Sequence, residues 1–164
     1  MIMNKIKHLL LLVLVITSVM PVLAQSKADR VVGIYLTRDD KTKKEKSQVQ
    51  IYKTSDGKYY GKIAWLFEPN ENGKPKMDKN NPADNLKTRP VFGLALLNSF
   101  SYDADKDEWS DGTIYDPQNG KTYKCFMRFS DANTLKVSGY IGRQWMGLNR
   151  TVVWTKEAQL RKQL

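Results

Sequence analysis

Residues Trp109 to Tyr123 read W-S-D-G-T-I-Y-D-P-Q-N-G-K-T-Y. Two aromatic-bearing segments flank Asp116-Pro117-Gln118-Asn119-Gly120, a run rich in the residues that turns require. Asn-Gly between such segments is a strong local signal for a β-hairpin, because glycine accepts the left-handed backbone of the turn. A chain built around this element folds as antiparallel sheet.

The rest of the sequence repeats the pattern. Arg30 to Thr37 reads as a first strand, with Val32, Ile34 and Leu36 on one face. Ser47 to Thr54 and Lys58 to Leu66 form a hairpin across Ser55-Asp56-Gly57, with Tyr59, Ile63 and Trp65 sharing a face. Val91 to Tyr102 is apolar on both faces, and Asp103 to Glu108 is an acidic turn. Trp109 to Tyr115, Lys121 to Phe129, Thr134 to Ile141 and Gly147 to Thr155 complete eight strands. Glu157 to Leu164 reads as a short helical tail.

Between these strands, Phe67 to Pro90 is polar and rich in Asn, Pro and Lys. Loops longer than about 12–15 residues are usually functional lids or disordered segments. Eight short strands joined mostly by tight turns must cover their edges, and closure removes edges altogether. The expected fold is all-β: an eight-stranded antiparallel up-and-down barrel, with a two-sheet β-sandwich as the alternative.

The N-terminus has the form of a secretory signal. Lys5 and Lys7 precede an apolar run from Leu9 to Val19, and Val22-Leu23-Ala24 offers small residues for cleavage. Cleavage before Gln25 is expected. That leaves one barrel domain over 25–156 and a tail over 157–164. The run falls short of the about 20 apolar residues of a membrane span, so no span is expected. No cysteine stands at the expected cleavage site, so no lipid anchor is expected either. The localisation expected is periplasmic or secreted.

The only histidine, His8, lies within that leader, and Cys125 is the only cysteine. Without histidine, Ser-His and Cys-His nucleophilic pairs are excluded, as is the commonest zinc ligand. One cysteine permits no disulfide within the chain. The formal net charge is +10. In an exported chain the partners for such charge are anionic lipid headgroups, cell-wall polymers or acidic small molecules rather than nucleic acid. A solvated surface of lysines scattered over loops is the plainer reading.

Several motifs together resemble the bacterial family known as domain of unknown function 2147. They are Gly33; Gly57 to Trp65 (G-K-Y-Y-G-K-I-A-W); Asp78, Asn81 and Pro82; Gly93; Trp109 through Asp116-Pro117 to Tyr123; Gly139-Tyr140-Ile141-Gly142; and Trp154. The resemblance covers nearly all of the chain after the leader. It implies a small exported barrel similar to lipocalins and calycins, and it implies no activity. Tyr35 stands where the family's opening element carries tryptophan. The lipocalin packing of a first-strand tryptophan on a late cation such as Arg150 is therefore not implied.

Candidate binding residues follow from residue type and position. Trp65, Trp109, Tyr115 and Tyr123 are expected to line a mostly apolar pocket with a few polar donors. Asp78 and Asn81, on the long loop acting as lid, either hydrogen-bond the loop's own backbone or supply its polar contacts to a ligand. Arg128, opposite Tyr123, Cys125 and Met127, would orient an anionic headgroup if its face were inward. Asp103, Asp105, Asp107 and Asp111 mimic a calcium loop, but Glu108 and Ile114 occupy positions that need glycine and glutamate. A hairpin turn explains them better. No catalytic residue, metal or cofactor is assigned.

The function expected is a non-catalytic module for a small apolar or amphipathic ligand. The alternatives are an envelope protein binding anionic lipid or polymer, and a carboxylate-based hydrolase.

Overall fold

The computed structural model describes residues 26–163, so the expected leader and its cleavage site lie outside the described residues. Eight strands form one closed barrel: β1 (Gly33–Arg38), β2 (Glu45–Lys53), β3 (Tyr59–Leu66), β6 (Ala95–Asp103), β7 (Glu108–Asp116), β8 (Lys121–Phe129), β9 (Thr134–Tyr140) and β10 (Asn149–Glu157). Each pairs antiparallel with the next, and β10 returns to β1. Closure excludes the sandwich. A two-stranded hairpin, β4 (Asn70–Glu71) and β5 (Lys74–Pro75), lies within the long loop.

The two ends of the barrel differ. At one end the connections are tight turns, as at Gly57 (φ +77°). A 3₁₀ turn, Ala28–Val31, closes that end. The indole of Trp109 donates to the Ala28 carbonyl (3.0 Å), and the Tyr35 hydroxyl donates to that of Val31 (2.9 Å). These two side-chain bonds explain why the chain turns at Arg30 rather than starting a strand there, as the sequence reading expected. Trp109 is fully buried and meets Tyr59 and Phe129 edge to face. The Arg30 guanidinium lies 5.3 Å from its ring centre.

Tyr35 does meet a late cation, but it is Lys156 rather than Arg150, 5.9 Å from the ring centre. Arg150 belongs to the opposite end, where it pairs with Asp40. Burial pushes the Tyr35 phenol well above its usual range and depresses the Lys156 ammonium.

Residues 158–163 form no helix. They run across the outside of β2 and β3. Gln48, fully buried on the outer wall, donates to Glu157 and to the Gln159 carbonyl, and accepts from the Arg161 amide. The Gln163 side chain bonds both backbone groups of Leu66. These backbone partners account for an extended tail, since a helix of eight residues without caps is marginal.

Candidate functional site

At the other end the strands are joined by residues 39–44, 67–94, 117–120 and 141–148, and the interior is hollow. The cavity measures about 660 Å³. That falls within the range of about 300–1,000 Å³ usual for small-molecule sites. Its wall is mainly apolar and includes Ile63, Leu96, Ile114, Val137, Val152 and Trp154. Thr37 and Ser47 add hydroxyls, which lie 2.7 Å apart and bond each other. Charge is confined to the rim, where Arg38, Asp39, Asp40, Lys46, Asp116 and Arg150 stand. The interior thus offers apolar surface, and the mouth offers charge and hydrogen-bonding groups.

The side chains expected at the site divide into three groups. Tyr123 lines the cavity, and its hydroxyl accepts from the Asn119 amide (3.1 Å) at the rim. Tyr115 borders the mouth, but its hydroxyl turns to the long loop and bonds Asp78 at 2.6 Å. Trp109 lies in the packed floor described above.

Asp78 and Asn81 are both buried, and their polar atoms are used within the chain. Asp78 accepts from Arg89 (2.9 Å), Asn81 (2.8 Å) and Tyr115. Asn81 donates to the Tyr115 hydroxyl and accepts from the Ala83 amide. Burial, and then the bond to Asp78, raises the Tyr115 phenol. Asn80 adds bonds to the Pro117 and Gln118 carbonyls. The loop is thus pinned to the β7–β8 turn and forms a fixed piece of rim. Its Asx bonding follows from residue type.

Trp65 and Arg128 lie on the outer wall. Register explains Trp65: Val49 faces Ile63, but Gln48 faces Trp65, so one extra residue bulges between them. A one-residue shift exchanges the faces of a strand. Trp65 therefore stacks under Arg161, 4.8 Å from the guanidinium, instead of lining the cavity. Arg128 pairs with Glu108, which is fully buried and also accepts from Gln144 (3.2 Å). Cys125 faces the interior beside Met127, and burial pushes its thiol up to about 12.

Sequence reasoning missed Thr37, Ser47, Ile114, Val137 and Val152 as lining residues. Period-two alternation in β9 and β10 was available to find the last two. Among the described residues no helix is long and apolar enough to cross a membrane.

Comparison with known proteins agrees with this architecture. A Helicobacter pylori structure, described as protein HP1028 belonging to the lipocalin family, superposes with a TM-score of 0.64. It is 24% identical to the present chain, covering 77% of this chain and 82% of its own. At that identity the likeness speaks for the fold. No curated protein matches the sequence. The model of the family described as "uncharacterized protein conserved in bacteria" (DUF2147) matches residues 33–156, and the chain belongs to that family.

Proposed function

We propose that this protein is an exported, non-catalytic carrier that holds a small apolar or amphipathic molecule in the open end of its barrel. The observation behind this reading is the cavity of about 660 Å³, apolar within and charged only at its rim. Each buried methylene contributes about 0.8 kcal/mol, so about ten give the roughly 8 kcal/mol of micromolar binding before ordering costs. Thr37 and Ser47 bond each other, so an apolar ligand leaves neither hydroxyl unpartnered. The leader-like N-terminus supports export.

Titration with the fluorescent fatty acid cis-parinaric acid tests the reading. Saturable one-to-one enhancement is expected. Ile114→Trp, which fills the cavity from its wall, is expected to weaken binding about tenfold or more. Absence of binding, or equal binding by a folded Ile114→Trp variant, overturns it.

A further inference from the structure

We infer that the loop of residues 141–148 docks the protein on an anionic bilayer surface, with the cavity mouth at the edge of the contact. Ile141, Trp145, Met146 and Leu148 are 66%, 78%, 48% and 62% exposed. Four large apolar side chains open to solvent on one eight-residue loop are unusual in a soluble barrel, where such residues normally stand singly.

The loop is held in this pose. Ile141 donates its amide to the Leu148 carbonyl (3.2 Å), which closes the base of the loop. Gln144 donates to both carboxylate oxygens of the buried Glu108 at 3.2 Å, which fixes the 3₁₀ turn Gln144–Met146 against the outer wall. Exposure of Trp145 and Met146 is therefore built in. Ile141 and Leu148 also line the mouth, so the exposed strip is continuous with the cavity rim.

Charge selects the occupant. Segment 141–150 carries Arg143 and Arg150 and no acid. The carboxylates that touch it, Glu108 and Asp40, are paired with Arg128 and with Arg150 itself, which leaves Arg143 as the segment's net cation. Exposed Lys121 and Lys124 stand on neighbouring β8, and Lys124 lies opposite Tyr140 in register. Segment 38–46, also at the rim, carries five cations against three carboxylates. Tryptophan with methionine and leucine, ringed by arginine and lysine, suits the interface of a bilayer bearing anionic headgroups. Each nearby cation adds about 1 kcal/mol there. A second copy of the chain fits less well, since four side chains cannot supply the about 800 Å² per partner of a stable dimer.

The test uses protein lacking residues 1–24, which leaves every described residue in place. Its sedimentation is compared with vesicles of phosphatidylcholine alone and of phosphatidylcholine mixed with phosphatidylglycerol. Binding to the mixed vesicles is expected, weakened by salt. Trp145→Ser with Met146→Ser is expected to reduce it about tenfold or more. Val153→Ser with Leu160→Ser, which removes exposed apolar groups elsewhere, is expected to leave it unchanged. No vesicle binding, or equal binding by the Trp145→Ser/Met146→Ser protein with an unchanged melting temperature, overturns the inference. So does a concentration-dependent dimer that Trp145→Ser dissociates, which would make a second copy the occupant. Docking does not depend on the cavity ligand: Ile114→Trp is expected to block parinaric acid and still sediment with vesicles.

Discussion

The two ends of the barrel are built from the same kinds of residue put to opposite uses. At the closed end Trp109, Tyr35, Tyr59 and Phe129 fill the space between strands, and Arg30 and Lys156 lie against their faces. At the open end the interior is hollow, and apolar side chains project outwards. Among the described residues, Phe67, Phe92, Ile141, Trp145, Met146 and Leu148 are exposed on the loops leaving that end. The contrast separates stability from recognition. The closed end contributes packing energy because side chains fill its interior. The open end forgoes packing and leaves a cavity and exposed apolar side chains.

Two tryptophans give the largest test of this division. Trp109→Ala empties the floor and removes the bond to the Ala28 carbonyl, and a loss of about 3–5 kcal/mol is expected. Trp145→Ala, on the open-end loop, is expected to change stability by no more than about 0.5 kcal/mol. Urea denaturation of both variants measures the difference. Similar losses would mean that the open-end loop is part of the core.

The rim provides an intermediate case. Asp78→Ala leaves Arg89, Asn81 and the Tyr115 hydroxyl without their shared acceptor, and about 2–3 kcal/mol is expected to be lost. Hydrogen exchange is expected to rise mainly in residues 76–91 and at the β7–β8 turn. Equal loosening at the closed end would contradict the independence of the two ends.

A smaller effect concerns pH. Hydrogen bonds from Tyr59, Lys53 and Ser26 lower the Asp29 carboxyl from 3.8 to about 2. A carboxylate depressed in the folded state stabilises it above the unfolded value, and that contribution disappears as pH falls from near 4 through about 2. Asp29→Asn is expected to flatten the acid limb of the melting temperature against pH within that window. An unchanged limb would remove Asp29 from the account of how the closed end is held.

The barrel itself was legible because its signals are local. The turn at Asp116 to Gly120 and the alternation of β8 and β9 each depend on a few neighbouring residues. The misplaced aromatics share one cause, which is information carried by pairing between strands. Trp65 left the cavity because of one bulged residue. A second bulge, between Trp109 and Gly112, puts Tyr115 out of phase with Trp109, although their spacing suggests a common face. Asp78 and Asn81 were recognised as unusual. Their partners Arg89 and Tyr115 lie up to 37 residues away, and only the fold shows them to be anchors. Thr37 and Ser47 were passed over because single hydroxyl residues give no apolar signal, yet they pair with each other inside the cavity.

The meeting of β1 with β10 has a kinetic consequence. Their pairing joins Ile34 to Glu157, Tyr35 to Lys156 and Leu36 to Thr155, so the first strand waits for the last to be synthesised. Until then both β1 and β9 present an open edge, and contacts between such distant residues form slowly. A nascent chain therefore stays incompletely folded until residues 149–157 have emerged. The final segment, bonded to Gln48 and Leu66, then fastens the seam from outside. Completion of the barrel thus waits on residues 149–157, which pair with both β9 and β1.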